Sequence, residues 1–199
     1  MPLVDFDDPA VWDSLYRCWS PDGTTLLHFE RGAKERILGN DHWLLRDALN
    51  LQPGQSIGLI GAGYGWVAED WAADGLGPIV AVDTSTYIQS NKTLHATVTI
   101  LDEDGTSNPS RGRIRQALGL SGNRKADWGI TEDILPGMTD AECLTLAGHM
   151  RNLATTVVHW VSALKARNQD PRLNWKTLED WKALMTPDLV VQRGTNRVL

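Results

Sequence analysis

A doubly wound, mostly parallel α/β sheet is the fold this sequence predicts, and three observations predict it. From Ser56 onward, short apolar segments alternate with amphipathic helical ones. Those short segments are apolar throughout, as strands covered on both faces must be. A glycine cluster, Gly61-Ala62-Gly63-Tyr64-Gly65, stands between the first such strand and the helix after it. The expected layout is one domain, with residues 1–53 as a helical cap and 54–199 as the α/β core, its C-terminal sheet edge shortened.

Asp8-Pro9 opens the cap with a capping acid and a proline at the first helical position. Val11, Trp12, Leu15, Tyr16 and Trp19 follow at helical spacing, until Ser20-Pro21-Asp22-Gly23 turns the chain. Asp41 caps a second helix over His42–Asn50, and Gln52-Pro53-Gly54-Gln55 leads into the core. There the expected elements begin with a strand over Ser56–Gly61 and the glycine turn. A helix over Tyr64–Asp74 follows, with Val67, Ala68, Trp71 and Ala72 on one face and Gly75 at its end. Pro78–Asp83 is a second buried strand, and Val98–Leu101 a third, followed by the acids Asp102, Glu103 and Asp104. Thr106–Lys125 reads as less regular, and Asp127–Thr131 as a fourth strand. Thr139 and Glu142 have the spacing of a capping box, opening a helix with Cys143, Leu146, Ala147, Met150 and Leu153 on its apolar stripe. A fifth strand is expected over Thr156–Ala163, apolar but for His159, which reads as a satisfied core histidine. A helix over about Trp175–Met185 presents Trp175, Leu178, Trp181 and Met185, and Leu189–Gln192 is one more strand.

The 199 residues suit a single domain, and 42% hydrophobic with 22% charged residues rules out wholesale disorder and collagen-like fibres. No apolar run approaches the ~20 residues of a spanning helix, so no membrane partner is expected. The acidic start Met1–Asp8 lacks a signal peptide's pattern, which makes the cytoplasm the expected compartment. Two cysteines, Cys18 and Cys143, cannot build a disulfide framework. His28, His42, His95 and His149 show no ligand spacing, so no metal site is expected.

The net charge of -6 gives a field that does not draw DNA or anionic membrane to the molecule as a whole. Against that field stand Arg111, Arg113, Arg115, Arg124 and Lys125. Guanidinium forks suit phosphate groups, which makes Arg111, Arg113 and Arg115 candidates for a phosphate-bearing ligand. The other reading is a solvated helix ending at Gly119. No helix-turn-helix or zinc-finger spacing appears. Nine tryptophans against three tyrosines and two phenylalanines either do the aromatic core work or line a pocket or interface.

The glycine turn carries the chemistry. Glycines let the backbone turn sharply and let a ligand approach without meeting a Cβ, and the helix N-terminus beyond them offers N–H groups to a carboxylate or phosphate. Asp83 ends the next strand, where a carboxylate can take both hydroxyls of a ribose. Its carboxylate is expected to be open to ligand, without a partner in the core. A dinucleotide fingerprint needs its third glycine at Trp66, so NAD is disfavoured, and no Gly-Lys-Ser/Thr follows to make a Walker loop.

The Gly-x-Gly-x-Gly spacing resembles motif I of the class I S-adenosylmethionine-dependent methyltransferases, and the likeness runs from about Ser56 to Ala163. Asp127, in Ala126-Asp127-Trp128-Gly129-Ile130-Thr131-Glu132-Asp133-Ile134-Leu135, matches the leading aspartate of the family's fourth-strand motif. The chain looks most like small phage-encoded members of that fold. Leu59 departs from the pattern, standing where the family usually has an acid, and only Leu189–Leu199 remains for its closing antiparallel pair.

The resemblance implies S-adenosyl-L-methionine as cofactor, held by Gly61, Ala62, Gly63 and Gly65 at its methionine part. Asp83, with Thr84 beside it, would take the ribose, and Asp102 the adenine. The crevice of a doubly wound sheet opens between its first and fourth strands. There Glu132 and Asp133 are candidates to take a proton from the methyl acceptor or to position it; the other reading makes them a solvated turn or helix cap. The acceptor itself is not named by the sequence. A second class of function stays open, a non-catalytic particle or assembly component with protein partners, in the virion or the host cytoplasm.

Overall fold

A computed structural model describes residues 46, 49–63, 65–84, 97–102, 108–132, 134–162, 174, 176–188, 192–193 and 197–198. The expected helix after Asp8 and most of the one over His42–Asn50 lie outside these residues, as do Tyr64, Asp133 and Trp175.

Seven strands form one sheet in the order β3-β2-β1-β4-β5-β7-β6. The first five, β1 (Ile57–Ile60), β2 (Ile79–Asp83), β3 (Val98–Asp102), β4 (Ala126–Glu132) and β5 (Ala154–Ser162), run parallel. β6 (Gln192–Arg193) and β7 (Arg197–Val198) add an antiparallel pair beyond β5. The chain proceeds outward from β1 to β3, then reverses at β4, so β1 and β4 flank the switch point as expected. Most of the strand expected over Leu189–Gln192 lies outside the described residues; Gln192 begins β6, and the β6–β7 pair supplies the C-terminal edge.

The apolar strands sort residue by residue onto two core layers, because successive side chains point to opposite faces. Ile57, Leu59, Ile79 and Ala81 join one layer with Val67, Ala68, Trp71 and Ala72 of helix α1 (Trp66–Ala73). Ile60, Val80 and Val82 join the other with Ile114 and Leu118 on helix α2 (Asn108–Ala117) and the turn after it. Cys143, Leu146, Met150 and Leu153 of α3 (Asp140–Leu153) and Trp181 and Met185 of α4 (Leu178–Met185) complete that second layer. Trp71, Trp160 and Trp181 are buried, which settles three tryptophans as core. No helix among the described residues is long and apolar enough to cross a membrane.

α2 bears out the reading of the arginine segment as a helix ending before Gly119, within a stretch, Thr106–Lys125, that reads as less regular. Asn108 and Pro109 stand in its first turn, where both suit a helix start, and Ile114 and Leu118, four apart and buried, hold it to the sheet. The capping box of α3 forms as expected: Thr139 N–H donates to Glu142 Oε2 at 2.6 Å and Glu142 N–H to Thr139 Oγ1 at 3.3 Å. α4 begins at Leu178, later than expected, because Thr177 and Asp180 form a second box of the same kind. β5 begins earlier than expected: Leu153 ends α3 and Ala154 starts the strand, with no residue between.

α3 can lie close to the sheet because two positions beneath it have no side chain. Gly58 of β1 and Gly129 of β4 are register partners. A Cβ at Gly129 would meet Ala154 Cβ at 2.9 Å and Met150 Cε at 3.0 Å, whereas one at Gly58 would stand 3.1 Å from Leu153 Cδ2. Ala154 Cβ is fixed to backbone, while Leu153 Cδ2 is the end of a flexible side chain. Gly129→Ala should therefore lower stability by about 1–3 kcal/mol through overpacking, and Gly58→Ala by clearly less. Urea unfolding of both variants at unchanged m-value tests this, and equal costs would contradict the contact geometry.

Candidate functional site

Among the described residues of the turn after β1, the N–H groups are used within the protein. Gly61 N–H and Ala62 N–H both donate to the Val82 carbonyl, at 2.9 and 3.1 Å, and Gly65 N–H donates to the Ala62 carbonyl at 2.8 Å. Gly63 N–H donates to Asp83 Oδ2 at 2.8 Å. Gly61, Gly63 and Gly65 have φ of 78°, 52° and 70°, the left-handed region that a side chain disfavours. One expectation changes here. Asp83 is half-buried and one of its oxygens braces the turn, so its carboxylate is not simply open to ligand. The start of α1 keeps the donors expected of it, since Gly65 caps the helix without any side-chain bond.

The sheet brings the other predicted residues to the same edge. Asp102 ends β3 in register with Asp83 at the end of β2. Thr84 follows Asp83 and is half-buried. Glu132 ends β4, one residue beyond Thr131, which is the register partner of Ile60 just before the glycine turn. The backbones of Asp83, Asp102 and Glu132 thus share the C-terminal edge with the turn, while the side chains of Asp102 and Glu132 lie outside the description, as does all of Asp133. Leu59 is fully buried among core residues. Asp127 sits at the opposite end of β4, where its Oδ2 accepts from Ser56 N–H at 2.7 Å and Ser56 Oγ–H at 2.8 Å. Its work is to tie the starts of β1 and β4 together.

Thr131, which the sequence places at the end of the fourth strand facing the crevice, is fully buried, and its Oγ1 is 2.9 Å from Nδ1 of His159, its register partner on β5. That contact gives His159 the partner expected of a satisfied core histidine. Sequence reasoning missed one contributor. It is Asn174, whose N–H donates to the Pro136 carbonyl at 2.7 Å and whose Nδ2 donates to Met138 O at 3.0 Å and Asp140 Oδ1 at 2.8 Å. Lys176 adds an ion pair to Asp140 at 2.8 Å. Hydrogen bonds from Lys176 and then Asn174 hold the Asp140 carboxyl below its ordinary value. This clamp fixes the segment that leaves β4 beside the site. Burial pushes the Cys143 thiol up to about 11, which leaves it inert at neutral pH. Among the described residues, no group of three or more metal-binding side chains comes together.

Burial, and then the charge of Arg151, push the His159 imidazole down from 6.5 to about 4. The folded protein therefore resists a proton that the unfolded chain accepts below about 6.5. Stability from this group is full above that pH, falls as pH drops toward about 4, and levels off beneath it, a total of about 3 kcal/mol. Asp140 and Asp180, both lowered, act only below their ordinary 3.8. Denaturant melts from pH 7 to 4 should show His159→Gln losing less stability across this window than wild type. Parallel curves would show that the imidazole is charged in the fold.

No protein-family model and no curated sequence matches the chain. Solved structures do. A methyltransferase of Aquifex aeolicus described as SAM-dependent superposes with a TM-score of 0.60 at 12% identity, over 96% of this chain and 95% of that one. The magnesium protoporphyrin IX methyltransferase of Synechocystis PCC 6803, solved with bound SAM, gives 0.59 at 17% identity, over 92% of this chain and 86% of that one. Human N-acetylserotonin methyltransferase, in complex with SAM, gives 0.60 at 14% identity over 85% of this chain, which spans 53% of that protein. With β1 and β4 at the switch point, five parallel strands and a closing antiparallel pair, the chain has the fold of the class I methyltransferases.

Proposed function

We propose that the chain binds S-adenosyl-L-methionine at the Gly61–Gly65 turn and transfers its methyl group to an acceptor above the ends of β1 and β4. One observation carries the reading most: Asp83 is held on the Gly63 N–H at the switch point, which fixes a carboxylate beside the glycine turn. The residues fit such a cofactor. Gly61, Ala62, Gly63 and Gly65 would hold its methionine part, Asp83 and Thr84 its ribose, and Asp102 its adenine. A bound sulfonium supplies an already activated leaving group, so the protein's task is alignment and exclusion of water. Glu132 and Asp133 would position the acceptor or take its proton, and Arg111, Arg113 and Arg115 would hold a phosphate-bearing ligand. The affinity to small phage-encoded members, the single-domain layout with its helical cap, and a cytoplasmic location rest on sequence pattern.

Leu59, fully buried in place of the family's usual acid, favours a second reading, a non-catalytic assembly component that keeps the fold. S-adenosylhomocysteine separates the two. At ~100-fold excess over its dissociation constant it should stabilise the protein by roughly 2.7 kcal/mol, and no shift at millimolar ligand would favour the assembly reading.

Two Asp83 variants then divide cofactor from fold. Asn keeps an oxygen for the Gly63 N–H but loses the charge, so Asp83→Asn should melt within about 1 kcal/mol of wild type and bind S-adenosylhomocysteine about 10-fold more weakly. Asp83→Ala loses the brace as well and should cost about 1–2 kcal/mol of stability without ligand. Titration calorimetry and melting of the two variants check this. Unchanged binding by Asp83→Asn would remove Asp83 from the ligand site.

A further inference from the structure

From Gly105 to Ala126 the chain has five cations, Arg111, Arg113, Arg115, Arg124 and Lys125, and no acid, in a protein of net charge -6. On α2, Arg111 and Arg115 stand one turn apart on one flank and Arg113 on the opposite one, and the fold joins the other four cations to a further one, Arg151. α2 and α3 cover the same face of the sheet, and both run back from the C-terminal strand edge, so their C-terminal ends lie at the edge away from the glycine turn. Lys125 Nζ donates to the Arg151 carbonyl at 2.6 Å, which joins the segment before β4 to the last turn of α3. Arg115 donates to the Gly122 carbonyl within the same segment. Arg113, Arg124, Lys125 and Arg151 are exposed, and Arg111 and Arg115 half-buried. Asp127, next in the chain, is engaged with Ser56.

Support of helix ends accounts for Lys125, whose ammonium satisfies a terminal carbonyl of α3. It does not account for Arg111, Arg124 and Arg151. We infer that this surface, made by one flank of α2, the segment leading to β4 and the end of α3, is a docking site for the phosphate backbone of a nucleic acid. Four of its five cations are arginines, whose planar forks take phosphate oxygens in pairs. A lipid surface fits less well, because amphipathic membrane contacts set large apolar side chains beside their cations. Here the exposed large hydrophobic residue among those described is Leu144, seven positions before Arg151 on α3. The contact reads no base sequence, since phosphate contacts set position and affinity without specificity. It extends the phosphate role of Arg111 and Arg115 to a larger surface and does not depend on the cofactor reading.

The test is fluorescence anisotropy of a labelled, mixed-sequence single-stranded oligonucleotide with the full chain. Wild type should bind at low salt and weaken at least about 10-fold between about 50 and 200 mM salt, as counterion release requires. The variant Arg111→Gln/Arg124→Gln/Arg151→Gln leaves the carbonyl contacts of Arg115 and Lys125 in place. Its binding should fall about 10-fold at low salt, and its log–log salt slope should shrink by about 2, near 0.7 for each arginine. If that variant misfolds, Arg124→Gln alone, outside any helix, should still shrink the slope by about 0.7. S-adenosylhomocysteine titration of the same preparations reads the cofactor site separately and should be unchanged by these substitutions. No binding at low salt overturns the inference, as does a variant that binds like wild type. Tighter capture by phosphatidylserine-containing vesicles than by the oligonucleotide also overturns it, and assigns the surface to a membrane.

Discussion

The close seat of α3 on the β1–β4 junction is the constraint on which the remaining structure depends. At mid-strand, Gly58 and Gly129 face each other across the ladder, and Leu153, Met150 and Ala154 occupy the room that two side chains would have taken. Below them, Asp127 and Ser56 lock the strand starts, with Asp127 N–H also donating to Ser56 Oγ at 3.0 Å. Above them, Ile60 and Thr131 complete the ladder, and the chain enters the glycine turn. A junction fixed at three heights leaves the turn little freedom to drift relative to β4. The switch-point crevice therefore inherits its geometry from packing two residues beneath it.

The turn itself inverts a common expectation about glycine-rich loops at helix starts. Such loops bind phosphate when their N–H groups point outward. Here the Val82 carbonyl takes two of those groups and the Asp83 carboxylate a third. Those three groups are therefore spent inside the turn and are not available to a phosphate.

Much of this was legible in the residues, and the parts that were not share a cause. The central parallel strands announced themselves because both faces of β1 and β2 are buried, which leaves uninterrupted runs such as Ile79-Val80-Ala81-Val82. The α3 stripe was equally plain, with a cap and helical spacing together. α2 was legible only as one of two readings, because Gly112 and the polar residues around it weaken the helical pattern, and the burial of Ile114 and Leu118 shows which face holds it. The start of β5 was hidden because no glycine or proline separates it from α3. At the site, the positions of the glycines and of Asp83 could be read, but the bond between them could not. It depends on where β2 ends relative to β1, a register that no local pattern encodes. The Gly58–Gly129 pair was likewise invisible, because a glycine in a strand signals close approach without saying to what.

The direct passage from α3 into β5 has a consequence for how this chain can vary. With Leu153 closing the helix and Ala154 opening the strand, nothing between them can absorb an added or lost residue. Strand side chains alternate, so a single insertion there would carry His159 away from Thr131 and send Trp160 to the opposite core layer. Helix, strand and site-edge pairing are thus indexed to one another like teeth on a single gear. Length changes between descendants of this sequence must then fall elsewhere, and Leu153-Ala154 should be among the most reliable anchors for aligning them.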